Sequence, residues 1–434
     1  MKSLVNGKFK ALMVPETAQQ ETETTGFEEV DEPPGTLAVD HWSYGHIPRE
    51  NWDDWKWQFR NRIASVGELA TVLSLSHREQ SEIEQVTRVY PLSITPYYFS
   101  LIDANDPNDP IRKQSVPSFA EIALADHGMD DPLNEEGDSV VPGLVHRYPD
   151  RVLMVLTNIC PMNCRHCTRK REWRHGTWVR PMSQVEQMID YIARTTAVRD
   201  VIISGGDPLS LSNHRLAKVL SRLRHINHVE IIRIGTRFPV VLPQRIDSEL
   251  CDILSEYGPI WLNTHFNHYR EITDESAAAC DRLLRSGVPV NNQSVLLRGI
   301  NDSVEIQRKL CQGLLRIKVR PYYLFHCDEV KGTEHLRTSV EKGLEIIEGI
   351  RGHTSGLAQP TFVIDLPGGG GKVPLQPNYI LLKNEGSIFL RNYEGDFFNY
   401  RNPVVADQSN ATTEQSQITK TDNTGEADAD RVCV

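Results

Sequence analysis

Three cysteines, Cys160, Cys164 and Cys167, stand in a Cys-x3-Cys-x2-Cys spacing within residues 157–171. Thiolates at this spacing can wrap an iron–sulfur cube from one short loop, leaving one iron open to a small molecule. The same residues could instead supply three ligands of a zinc site, completed by His166 or a distant cysteine. A second chemical candidate is Lys372, which ends the run Pro367-Gly-Gly-Gly-Gly-Lys372. Four glycines free the backbone to take positive φ and can deliver one amine to a fixed point. That amine could grip a phosphate, form a Schiff base, or sit in solvent on a flexible loop. A P-loop is not expected, because Val373 stands where the magnesium-binding hydroxyl belongs. A Schiff base implies pyridoxal phosphate (PLP), whose phosphate needs cations of its own. Arg147 and Arg151 flank a Tyr-Pro turn and could converge on it; an exposed basic turn is the alternative. Ser204-Gly205-Gly206-Asp207-Pro208 follows an apolar run and taken alone reads as a turn.

The elements that must position these residues follow from the rhythm of the chain. After residue 150, short apolar runs at 152–157, 201–204, 231–234, 261–264, 290–297 and 320–325 alternate with amphipathic segments such as 182–197 and 214–223. This is a βα alternation, an α/β fold with about six strands in a partial or full barrel. The polar motifs follow the apolar runs, as chemistry in such barrels sits at the C-terminal ends of strands. Residues 41–145 read as a helical N-terminal lobe, with an aromatic stretch at 52–57 and periodic segments at 63–75 and 120–127. The barrel is expected over 146–375 and an extension of the core over 376–404. Residues 1–40 and 405–434 are polar, lack apolar periodicity and are expected to be disordered termini.

The 434 residues are 39% hydrophobic and 24% charged, an ordinary globular composition, and the net charge of −11 argues against a broad nucleic-acid-binding face. No apolar run reaches the roughly 18 to 20 residues of a membrane helix, so a cytosolic, non-membrane protein is expected. There a tight cysteine cluster suggests a metal site before it suggests disulfides.

The cysteine motif after the first barrel strand resembles that of the radical S-adenosylmethionine (SAM) superfamily. The resemblance implies a [4Fe–4S] cluster on Cys160, Cys164 and Cys167, with SAM chelating the fourth iron. It also implies that Gly205, Gly206 and Asp207 meet the methionine amino group, with Asp207 in place of the familiar glutamate. A longer series resembles the lysine 2,3-aminomutase family: residues 94–98 (Ile-Thr-Pro-Tyr-Tyr), 142–151, the cysteine motif, 261–268, 292–298 and the glycine-rich lysine. That resemblance implies a radical SAM partial (β/α)6-type barrel and an isomerase that migrates an amino group between adjacent carbons, regenerating SAM. It implies PLP in an internal aldimine with Lys372, its phosphate near Arg147 and Arg151, and Gln293 among the SAM-binding residues. By the same likeness Arg169 meets the substrate carboxylate, while Asp328 and Asp365 meet a distal ammonium. Two carboxylates in a closed site favour a cationic side chain and oppose glutamate. Lysine giving β-lysine is therefore expected, with arginine or ornithine as alternatives; a non-catalytic iron–sulfur or zinc protein is the reading of another class. A one-electron reductant such as flavodoxin or ferredoxin and a homo-oligomer are the implied partners. Two departures stand out. Ser303 follows Asn301-Asp302 where clostridial-type members carry a zinc-binding cysteine, and the tail has only Cys433, so zinc is not expected. Phe325 and Phe238 replace a familiar tyrosine and threonine, which reshapes the pocket.

Overall fold

In the computed structural model, which describes residues 47–403, the βα alternation builds one ten-stranded sheet. Its strands are β1 (Ser139–Val141), β2 (Leu144–Tyr148), β3 (Arg151–Val155), β4 (Asp200–Ser204), β5 (Ile231–Gly235), β6 (Ile260–Thr264), β7 (Val290–Leu296), β8 (Arg320–His326), β9 (Thr361–Leu366) and β10 (Gly371–Leu375), and they neighbour one another in chain order. From β3 to β9 every pairing is parallel. β1 and β2 form an antiparallel edge at one end and β10 turns back antiparallel on β9 at the other.

Six of the parallel strands lie on the apolar runs of the sequence. The seventh, β9, escapes that rhythm because it buries only Phe362 and Val363 before carrying Asp365 toward the glycines. β2 and β10 are likewise short and mixed in polarity, and β2 straddles the expected lobe boundary at 145/146.

The parallel strands alternate in burial, as a period of two requires. Val201, Ile203, Ile232, Ile234, Leu296 and Leu324 are buried, while Ile202, Ser204, Arg233, Gln293, Val295 and Phe325 line an interior cavity. Helices Met182–Arg194, Asn213–Arg224, Ser248–Glu256, Asp274–Arg285, Val304–Arg316 and Val340–Ile350 follow successive strands. Each buries one stripe, such as Val185, Met188, Ile189 and Ile192 at i, i+3, i+4 and i+7. The two ends of the sheet are joined by single hydrogen bonds: the Lys372 backbone N–H donates to the Tyr148 hydroxyl at 2.9 Å, and the Gly368 N–H donates to the Pro132 carbonyl at 2.8 Å.

The preceding lobe is helical up to Ala123, but in shorter pieces than the periodicity suggests. Within 63–75 only Val66–Ala70 is helical, opened by a Ser65–Glu68 capping box, and the segment from Ala120 stops at Ala123. The eleven-residue helix His77–Thr87 is the longest there. Residues 94–98 lock the lobe to the barrel: Thr95 Oγ1 donates to the Val241 carbonyl at 2.5 Å and the Tyr98 hydroxyl to Glu271 at 2.6 Å. Beyond β10, β11 (Ile380–Asn384), β12 (Ser387–Arg391) and β13 (Phe397–Arg401) form a separate antiparallel sheet. Both termini expected to be disordered lie outside the described residues.

Candidate active site

The cysteine loop leaves the C-terminal end of β3 and is anchored from beneath by buried charge. Arg165, between the second and third cysteines, donates to Glu121 at 2.9 and 2.6 Å and to the Tyr90 and Pro91 carbonyls. Lys170 donates to the same carboxylate at 2.8 Å and to the Gly332 carbonyl. From the lobe, Arg62 donates to the Cys160 carbonyl at 2.5 Å. The backbone is thus fixed while the three sulfurs line the cavity.

Burial pushes the Cys160 and Cys167 thiols up, the latter to about 11, and the neighbouring cysteines push them further. Deprotonating these two thiols requires concentrated positive charge, which a metal cluster supplies. Arg237 supplies part of it, donating to Cys164 Sγ at 2.9 Å. Among the described residues no three His, Cys, Asp or Glu side chains converge closely enough to hold a single ion. His166, one of the candidates for a fourth zinc ligand beside a distant cysteine, faces the Asn267 amide through Nε2 at 3.2 Å, while its buried Nδ1 makes no hydrogen bond. The donor set fits a cube better than a lone ion.

Gly205 and Gly206 let the loop after β4 lie directly on the cysteine loop. A Cβ on Gly206 would meet the Asn158 carbonyl carbon at 2.5 Å, and the Gly206 N–H donates to the Thr157 carbonyl at 2.5 Å. Asp207 lines the cavity and is also tied into the protein. Its carboxylate accepts from the Leu209 N–H, the Thr236 hydroxyl and the Arg237 N–H at 3.1, 2.7 and 2.7 Å. Burial lifts it to about 7, against those hydrogen bonds. The side chain ties β4 to the loop after β5.

Every candidate cofactor- or substrate-binding residue named from the sequence lines one cavity of about 560 Å3, whereas Phe238, expected to reshape the pocket, packs instead against Trp55 and Phe59. The cysteines, Gly205, Gly206, Asp207, Gln293 and Arg169 share it with Arg147, Arg151, Asp328, Asp365 and Lys372. On the β9–β10 hairpin Lys372 stands directly opposite Asp365, and its Nζ lies 2.9 Å from both carboxylate oxygens. The glycine run makes this turn possible: Gly371 has φ +84°, and a Cβ there would sit 3.1 Å from the Tyr148 hydroxyl. Asp328, two residues past β8, is lifted to about 7 by burial and then by Asp365.

The two arginines differ. Arg147 is held by Asp138 at 2.8 Å and by the Leu133 carbonyl. Arg151 lies 4.4 Å over the Tyr148 ring, and its buried Nε makes no hydrogen bond, the Asp150 carboxylate standing 3.5 Å off. An orphaned guanidinium N–H in the cavity that holds Lys372 is what a phosphorylated carbonyl cofactor would need.

Sequence reasoning misses two residues here. Glu135 clasps Arg169 through two short bonds, 2.6 Å to Nη2 and 2.9 Å to Nε, and also accepts from Arg171 at 3.0 Å. These guanidiniums hold its carboxyl at about 2 against the pull of burial. Arg237 spans Cys164, Glu271, Gln114 and the His265 carbonyl. Only its place, just after a strand of the expected barrel, hints at a role.

Comparison with known proteins agrees with this geometry. Residues 154–309 match the model of the radical SAM superfamily, and residues 347–430 match that of lysine-2,3-aminomutase. The chain is 53% identical to L-lysine 2,3-aminomutase of Clostridium subterminale, covering 82% of this chain and 85% of that one. It is 52% identical to the L-lysine 2,3-aminomutase of Acetoanaerobium sticklandii, covering 83% and 87%. A glutamate 2,3-aminomutase of Clostridioides difficile is 43% identical over 85% and 87%.

Proposed function

Because the chain belongs to the lysine 2,3-aminomutase family of radical SAM enzymes, we propose that it converts L-lysine to β-lysine by moving the α-amino group to the adjacent carbon. Enzymes of this family work with a [4Fe–4S] cluster, SAM and PLP. The first two supply hydrogen abstraction by a carbon-centred radical, and PLP supplies a carbonyl that carries the migrating nitrogen.

The chain's own residues divide the remaining work. Cys160, Cys164 and Cys167 hold the cluster, with Arg237 donating to the middle sulfur. The Gly205–Gly206 backbone and Gln293 line the SAM side of the cavity. Lys372 is the PLP lysine, and Arg147 and Arg151 face the phosphate. Arg169, oriented by Glu135, receives the substrate carboxylate. The observation that carries the substrate assignment is acidic charge at the Lys372 end of the cavity: Asp328 and Asp365 both line it. A glutamate side chain placed there would add a third carboxylate to a buried pair, a cost of several kcal/mol.

The test is anaerobic turnover with reductant and SAM, offering lysine, arginine, ornithine and glutamate side by side and reading products by NMR. β-Lysine should dominate; faster turnover of arginine or ornithine would refute the lysine assignment.

The amino-acid substrate and the need for a one-electron donor come with the family; flavodoxin or ferredoxin is the proposed donor. Homo-oligomerisation is also proposed, supported by exposed Leu382, Phe397, Phe398 and Tyr400 on the C-terminal sheet, and sedimentation velocity tests it. Among the described residues no helix is long and apolar enough to cross a membrane, and the cytoplasm is the proposed location.

A further inference from the structure

We propose that Arg237 sets how easily the cluster on the three cysteines takes up an electron, through the charged hydrogen bond it makes to the sulfur of Cys164. The proposal deepens the reading of Cys160, Cys164 and Cys167 as cluster ligands and rests on it.

The protein does not treat the three sulfurs alike. Arg237 Nη1 donates to Cys164 Sγ at 2.9 Å. Cys167 Sγ accepts from a peptide, the Arg169 N–H at 3.3 Å, and Arg62 reaches the Cys160 carbonyl instead of its sulfur. Among the described residues, Cys164 alone is bonded at sulfur by a charged side chain.

The guanidinium is held so that it cannot turn away. Nε donates to the His265 carbonyl at 3.0 Å, and Nη2 donates to Gln114 at 2.6 Å and to Glu271 at 2.8 Å. The Arg237 backbone N–H is fixed by Asp207. Glu271 is itself held by the Tyr98 hydroxyl and the Gln114 amide, both from the helical lobe. The Arg237 side chain is only 7% exposed and that of Glu271 is fully buried. A planar fork with two of its three nitrogens pinned delivers the third to one point, and that point is the sulfur.

The consequence follows from charge. One-electron reduction adds a negative charge to the cluster and its thiolates, with no bond made or broken and no proton moved at Arg237. A charged N–H on a ligand sulfur stabilises the reduced form more than the oxidised one and raises the potential. Glu271 offsets the cation at a distance, but it sits on Nη2 while Nη1 touches the sulfur, so the shorter separation dominates. Arg237 thus makes reduction easier and Glu271 restrains it. Arg237 is a positioning and tuning residue, and the lobe reaches the cluster through it.

The experiment is an anaerobic redox titration of the reconstituted full chain, followed by EPR, with dithionite as the electron source and without SAM or amino acid so that no turnover occurs. Arg237→Gln should make the cluster at least about tenfold harder to reduce, a downward shift of about 59 mV for a one-electron couple. Glu271→Gln should shift the potential upward. Because Arg237→Gln leaves Glu271 buried without its cation, the double variant Arg237→Gln/Glu271→Gln decides if the single one does not fold; it should be at least about threefold harder to reduce than wild type. Arg62→Gln, which removes a charge bonded to a carbonyl, should change the equilibrium less than about twofold. An unchanged potential in the Arg237 variants, a downward shift in Glu271→Gln, or a shift in Arg62→Gln equal to that in Arg237→Gln would overturn the role of Arg237. Failure of the wild-type chain to take up iron and sulfide would instead refute the assignment of the cysteines, and the proposal with it.

Discussion

Glu121→Gln should loosen the cysteine loop without touching a cysteine. Glu121 is fully buried, and Arg165 and Lys170, each 1% exposed, share its carboxylate. The glutamine would leave a guanidinium and an ammonium facing each other in a low dielectric. Burial by itself would raise the Glu121 carboxyl; Arg165 and then Lys170 pull it to about 2 from its usual 4.5. At about 1.4 kcal/mol per pH unit this gap corresponds to about 3 kcal/mol. Breaking a buried pair costs about 3–5 kcal/mol. Burial holds Lys170 down at about 8 in spite of Glu121, so part of the pair's attraction goes to offsetting desolvation, and a net loss of about 2–3 kcal/mol is expected. For a carboxylate held low in the folded state, this stability is fully present above about pH 4.5 and disappears as pH falls toward 2. Urea and thermal unfolding at pH 7.5, repeated at lower pH, measure it, and iron content after anaerobic reconstitution reports on the loop. The variant should unfold earlier at pH 7.5, converge on wild type in acid and bind less iron, because Arg165 sits between Cys164 and Cys167. Stability within about 0.5 kcal/mol of wild type, with full iron, would refute the anchoring role.

Three further outcomes follow from the site. Asp328, lifted to about 7 by burial and Asp365, is protonated below that pH and cannot pair with a cation, so KM for lysine should climb as pH falls through 7; a flat profile from pH 6 to 8 excludes this. Gly206→Ala places a Cβ against the Asn158 backbone at 2.5 Å, which cannot yield as a side chain tip would; a loss of about 1–3 kcal/mol is expected, together with iron, read by unfolding and metal analysis. Glu135→Gln releases one edge of Arg169 and should raise KM for lysine about tenfold, the scale of one charge-assisted hydrogen bond, with kcat changed less and Glu135→Asp recovering part of the effect.

The parts of this site legible in the sequence are those whose geometry is local. Three cysteines on eight residues of loop and one lysine after four glycines carry their spacing with them, and the parallel strands announce themselves by apolar runs. Glu135 and Arg237 reach the same cavity from single positions 34 and 73 residues from their partners Arg169 and Cys164. Apart from Arg237's place just after a barrel strand, nothing in their neighbourhoods distinguishes them from ordinary surface charges. Asp207 shows the opposite case. The Gly-Gly-Asp spacing fixes a turn after β4, but where the carboxylate points depends on Thr236 and Arg237, donors brought in by β5. β9 was hidden for a related reason, since it spends half its length delivering Asp365 instead of apolar surface.

The charges around the cavity suggest why such distant residues matter. Arg169 has Glu135, Arg147 has Asp138, Arg237 has Glu271, Arg233 has Asp200 and Lys372 has Asp365. Each pair fixes a cation in place and cancels its field, so these groups hold their geometry whether or not a ligand is bound. Among the charged lining residues described, Arg151, whose Nε makes no hydrogen bond and has Asp150 only at 3.5 Å, Asp207, which is hydrogen-bonded but in no ion pair, and Asp328, also in no ion pair, stand apart from these close pairs. A ligand gains most where it supplies a missing partner, because a buried charge left unmatched is costly and a matched one is not. Loosely matched Arg151 and Asp328, in a cavity lined by the thiol loop, suit a molecule that presents an anionic group to the first and a cationic group to the second. A phosphorylated cofactor joined to a diamino acid carries both.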